Sequence, residues 1–123
     1  MSIRNIRLNV TTASNGSGTA TAETAVTGYL KMVDWIDGTF ADGVDAVLST
    51  TLTSSGTDHT LLTLTNADND AVYYPRRVVD TTAGAAATGI YGCFLVDGYL
   101  KLAVTGGGDA KTGGCVVYVD CEE

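Results

Sequence analysis

Residues 19–53 constrain this chain most, because they read as two long strands folded back on each other around the loop Asp37-Gly38-Thr39-Phe40-Ala41-Asp42-Gly43. Residues 29–36, Tyr-Leu-Lys-Met-Val-Asp-Trp-Ile, are dense in aromatic, apolar and β-branched side chains. Residues 44–52 place Val44, Ala46, Leu48 and Leu52 at even spacing, the period of a strand with one buried face. An Asp-Gly pair stands at each end of the loop; Asp tolerates left-handed backbone angles and Gly has no Cβ to clash, so the pattern predicts a hairpin. Trp35, in the middle of the densest strand, reads as core.

Shorter strands are expected against this hairpin. Ile6, Leu8 and Val10 alternate with Arg7 and Asn9 as a half-buried strand ending in the turn cluster Ser14-Asn15-Gly16-Ser17-Gly18, which predicts a first hairpin into residues 19–27. Residues 59–65 place Leu62 and Leu64 on one face and His59, Leu61, Thr63 and Thr65 on the other. Residues 66–89 hold turn residues, a short apolar run and Pro75, and read as a long irregular connection of the kind a Greek key or jelly roll needs, with at most a helical turn over 83–87. Asp97-Gly98 predicts a tight turn between strands 91–96 and 99–105, and residues 115–121 close the fold. The expectation is a single all-β domain over residues 1–123, a β-sandwich or jelly roll of about 7–8 antiparallel strands.

Charge narrows the partners. Lys and Arg total 7 against 14 Asp and Glu, a formal charge of −7, whereas a phosphate backbone is bound through clustered Lys and Arg; nucleic acid is not an expected partner. No run of about 18 apolar residues occurs, and Arg4 is followed by no apolar leader segment, so neither a membrane span nor a signal peptide is expected. The three cysteines, Cys93, Cys115 and Cys121, are odd in number and lack CxxC spacing, which suits reduced core thiols. Cys115 and Cys121 on one strand stand about 20 Å apart at ~3.3 Å per residue, too far to bridge.

Candidates for chemistry are few. Residues 106–112, Gly-Gly-Gly-Asp-Ala-Lys-Thr, superficially resemble a phosphate loop, but GxxxxGK[ST] between strand and helix is missing. His59 is the only histidine, and no GxSxG elbow accompanies it, so a hydrolase triad has little to build on. Asp34, Asp37, Asp42 and Asp45 straddle the tip of the long hairpin, and Asp68-Asn69-Asp70 forms a second oxygen cluster. Either can converge on a hard cation, but the spacing matches no EF-hand, and Asp and Asn serve turns for backbone reasons; solvated turns are the preferred reading. No catalytic residue, metal or cofactor is expected.

The succession IRLNVTTASNGSGTATA (6–22), VTGYLKMVDW (26–35), FADGVDAVLS (40–49), LLTLTN (61–66), YYPRRVVDTTAGAA (73–86) and LKLAVTGGGDAKTG (100–113) resembles a family of small structural proteins encoded among the head genes of tailed bacteriophages. Some members are capsid decoration, or cement, proteins that sit on the shell as trimers; others belong to the neck or tail. The resemblance implies a non-enzymatic virion protein made in the host bacterial cytoplasm, bound on the capsid surface to the major capsid protein as a homotrimer. The three cysteines depart from that pattern. The alternatives are a neck or tail β-sandwich, or a carbohydrate-binding module presenting Tyr73, Tyr74 and Tyr91. For an oligomer, Tyr73, Tyr74, Arg76, Arg77, Val78 and Val79 are the expected interface, since they put aromatic, apolar and guanidinium groups on a segment expected at the surface.

Overall fold

The computed structural model describes residues 2–121, which form ten strands and no helix. In chain order they are β1 (Ile3–Thr11), β2 (Gly18–Thr21), β3 (Val26–Ile36), β4 (Asp45–Leu52), β5 (Asp58–Leu64), β6 (Ala71–Tyr73), β7 (Arg77–Asp80), β8 (Ala86–Gly92), β9 (Leu95–Thr105) and β10 (Thr112–Asp120). Every pairing is antiparallel, in the order β1-β10-β3-β9-β4-β5, with β2 added to β9, β6 added to β3, and β7 paired with β8 alone. The all-β class holds, and the layers form a β-sandwich.

β9 belongs to both layers. Its residues 95–98 pair with residues 26–29 of β3, and residues 98–105 pair with β4, while β2 takes the other edge of residues 101–104. The transfer happens at Gly98, whose φ is +133° and where a Cβ would meet the Thr51 carbonyl oxygen. Asp97-Gly98 is therefore the bend of one continuous strand and not the hairpin turn its composition predicts. Only glycine passes there, because both the backbone angle and the space exclude a side chain.

The long hairpin is also corrected. β3 and β4 do not pair; β9 lies between them, and residues 37–44 cross from one layer to the other. The crossing is anchored in the core: Phe40 stacks on Trp35 with ring centroids 5.8 Å apart, and the Trp35 Nε1–H donates to the Ala67 carbonyl at 3.0 Å. Both Asp-Gly glycines do take positive φ, +59° at Gly38 and +88° at Gly43, so the turn chemistry holds while the pairing it suggested does not. Likewise the turn at residues 13–17 forms, with the Ser17 amide on the Asn15 side chain at 3.0 Å, but β2 ladders to β9 and not to β1.

The core is made by alternation with two local breaks. Leu8 and Val10, Ala46 and Leu48, Leu100, Leu102 and Val104, and Val117 and Val119 are buried from alternating positions. In β5 the register slips, Leu48 facing Leu62 and Ser49 facing Thr60, so the unopposed Leu61 turns inward with Leu64 while Leu62 is only half-buried. In β3, Leu30 faces Val119 and Met32 faces Tyr118, leaving Lys31 as the extra residue; Leu30 and Val33 are both buried as a result. Cys115 and Cys121 are buried thiols, and Cys93 is a half-buried free thiol.

Candidate functional site

The segment expected to be an irregular connection is the most distinctive part of the molecule. Residues 71–73 add as β6 to β3, and residues 77–92 form a separate hairpin, β7 against β8, closed through Thr81–Ala85 and Gly84–Thr81 backbone bonds of 2.7 and 2.9 Å. No helical turn forms over residues 83–87. No Cα of β7 or β8 lies within 8 Å of another strand of the sandwich, so the hairpin projects as an arm.

The bulge at Lys31 positions it. β3 pairs with β9 through residues 26–29 and with β6 through residues 33–35, on the same edge, and the arm leaves through the gap between them. Its base is tied there by the Leu30 amide donating to the Phe94 carbonyl at 2.9 Å and by Arg76 Nη1 donating to the Lys31 carbonyl at 3.4 Å. Lys31 Nζ also reaches Cys93 Sγ at 3.7 Å.

The six expected interface residues divide along this geometry. Tyr73 is half-buried against the core, whereas Tyr74 is 63% exposed just beyond it. Arg76 and Arg77 are exposed; the second makes a surface ion pair with Asp80 at 3.4 Å. Val78 faces Tyr91 across the hairpin, and Val79 is exposed. The sequence reading missed the returning strand, where Ile90 and Tyr91 are 57% and 63% exposed, and the adjoining Leu95 on β9. Gly84 and Gly89 both have positive φ and bracket the run of small residues in which the chain turns back and β8 begins. Between the arm and the edge of the second layer lies an open groove of about 540 Å³, lined by His59, Leu61, Arg77, Val78 and Phe94 among others.

The other candidates resolve into structural roles. Asp45 accepts the Asn66 amide at 3.0 Å, Asp68 the Gly43 amide at 2.7 Å and Asp70 the Asp37 amide at 2.8 Å, so these carboxylates tie the loops at residues 37–44 and 65–70 together. Burial, then Asp68, Asp70 and Asp42, hold the Asp37 carboxyl above its ordinary value of 3.8. Among the described residues no group of three or more His, Cys, Asp or Glu side chains is placed to hold a metal ion. In the glycine loop the Gly107 amide donates to Gly16 and the Lys111 amide to Thr12 Oγ1, both at 2.9 Å, so these two donors are engaged within the chain. His59 is exposed on β5, next to Asp58, whose carboxyl is lowered by the Thr51 hydroxyl and Lys101.

The most distinctive surface among the described residues is the projecting hairpin, which bears exposed aromatic and apolar side chains and has Arg76 and Arg77 at its base. No family model, curated protein or solved structure matches the chain.

Proposed function

We propose that the chain is a non-enzymatic structural protein of a tailed-bacteriophage virion, a capsid decoration protein that binds the assembled head as an oligomer and stabilises it. The observation that carries this reading is the arm. An isolated two-stranded hairpin is marginal in water, and this one leaves Val79, Ile90 and Tyr91 exposed, with Tyr74 exposed beside its base, while it ladders to no other strand. An element so built gains its stability from a partner, and the residues it presents are of the types enriched at interface centres.

The mechanism follows from scale. A 123-residue acidic sandwich has neither a basic surface for packaged DNA nor the reach of a scaffold, but several linked copies bridge neighbouring shell subunits. Linked contacts act at high effective concentration, so individually weak arms retain the oligomer firmly on the shell. Such bracing raises the barrier to subunit separation against internal pressure.

Comparing normal particles with particles lacking the gene tests this. The expected outcome is normal shells that release DNA at lower temperature, with copy number in the hundreds per normal particle. A dozen copies or fewer moves the protein to the neck or tail, and unchanged heat release or failed shell formation removes the cement role.

A further inference from the structure

We infer that the arm of one copy docks on the acidic loop rim of a second copy, so that the chain associates head to tail. The arm and the rim are two different surfaces of one chain, and they carry opposite charge. Arm residues 74–93 carry Arg76 and Arg77 against Asp80 alone, a net charge of +1 in a chain of −7, which leaves −8 on the rest. Arg76 donates only to the backbone carbonyls of Pro75 and Lys31, and among the described residues it makes no ion pair.

The rim is the pair of loops at residues 37–43 and 66–70, fastened to each other by the Asp70–Asp37 and Asp68–Gly43 bonds. That fastening gathers Asp37, Asp42, Asp68 and Asp70 at one end of the sandwich with no basic side chain bound to any of them among the described residues. Burial first, and then the neighbouring Asp68, Asp70 and Asp42, raise the Asp37 carboxyl above its ordinary value, which places these four carboxylates close enough to feel one another. Two guanidinium groups from a neighbour supply the counter-charge in fork geometry suited to carboxylates, and the exposed Ile90 and Tyr91, on the strand opposite Arg77 and Val78 near the base of the arm, add the water-excluding contact. A heterologous contact of this kind closes into a ring when successive rotations sum to a full turn, three copies at 120° each being one solution, and otherwise extends as a chain.

This rests on the arm being the partner-binding element proposed above, and charge exchange separates the two claims. In R76E/R77E the arm becomes acidic; in D42K/D68N/N69K/D70N the rim turns from four negative charges to a net positive one, with the amide oxygens at 68 and 70 still able to accept the Gly43 and Asp37 amides. Each full-length variant alone should self-associate at least about tenfold more weakly than wild type in sedimentation at low salt, since like charges then face each other. Their equimolar mixture should assemble again, because each arm finds a rim of opposite sign. Circular dichroism and melting of each variant establish that both are folded.

Wild-type protein that stays monomeric, R76E/R77E that associates normally, or folded variants whose mixture does not assemble would each overturn the head-to-tail contact. I90S/Y91S distinguishes the underlying reading. If it abolishes association while the charge variants do not, the arm is the interface and its acceptor lies elsewhere. If association survives all of these changes, the arm reading fails as well.

Discussion

Replacing Gly98 by alanine tests the claim that this residue is where one strand passes between layers. At φ +133° the residue lies outside the regions open to side-chain-bearing residues, a strain of about 1–3 kcal/mol. In addition the new Cβ meets the Thr51 carbonyl oxygen in β4, so two paired strands must separate locally. A total near 3 kcal/mol is expected. With an unfolding entropy of about 2.1 cal/mol/K per residue, a chain of 123 residues loses about 12 °C in Tm for that amount. The control is Gly56→Ala, where φ is +71° but nothing lies within 4 Å of the added Cβ; it should cost about 1 kcal/mol, or ~4 °C. Gly98→Asn sharpens the comparison, since Asn tolerates the left-handed angles of a hairpin turn but still carries the Cβ that Thr51 blocks. Thermal unfolding followed by circular dichroism reads all three. If the Gly98 variants melt within a few degrees of Gly56→Ala, residue 98 is an ordinary turn and the shared-strand account of β9 is wrong.

Trp35→Phe removes the donor to the buried Ala67 carbonyl and should lower stability by about 2 kcal/mol in denaturant unfolding; no loss would mean the loop at residues 65–70 is not held by that bond. Asp37→Asn should raise Tm at neutral pH. The folded-state pKa of Asp37 is raised above 3.8, so its contribution is fully favourable below that value and is lost as pH rises through the folded pKa; the variant's advantage should vanish well below pH 3.8, and a variant less stable at neutral pH would show that the carboxylate is needed there. Burial and Asp34 push the Cys115 thiol up to about 12, and Cys121 is buried, so a thiol reagent at pH 8 should modify Cys93 alone in the native protein and all three cysteines after denaturation. Rapid native labelling of a second thiol would contradict the packing of β10.

Alternation made the fold class and most of the core legible, because side-chain period depends only on the strand's own geometry. Leu8, Val10, Ala46, Leu48, Leu102 and Val117 all face inward as their spacing predicts. Partner choice was not legible. Which strand lies beside β3 depends on contacts made by β9 and β10, about 70 to 85 residues away in the chain, and nothing local to Asp37-Gly38 or Asp97-Gly98 distinguishes a hairpin turn from a layer crossing or a bend. Leu61 shows the same limit on a smaller scale: the bulge that turns it inward comes from its register against β4, which its neighbours in sequence do not encode. For the candidate site, the surface placement of Tyr74, Arg76, Arg77 and Val79 followed from their residue types beside Pro75. Their returning partner strand was hidden because Ala85, Ala86, Ala87, Thr88 and Gly89 have neither the bulk nor the alternation that marks a buried strand. An arm in solvent needs neither.

The arm and the sandwich are joined by one irregularity, the bulge at Lys31. A regular β3 paired along its whole edge with a single neighbour would leave no exit there. With Lys31 unopposed, the strand shifts phase between Leu30 and Val33, both of which remain in the core, and its free edge is divided between β9 below and β6 above. The backbone groups in the gap are then taken by the two ends of the arm itself, Leu30 by Phe94 and Lys31 by Arg76, so the exit leaves these two groups bonded. This explains how an otherwise closed sandwich can hold a hairpin out from its middle and not from a loop at either end. It also means that the arm's base is tied to the core while β7 and β8 ladder only to each other, so in the docking proposed above the ordering cost falls on the hairpin and not on the body.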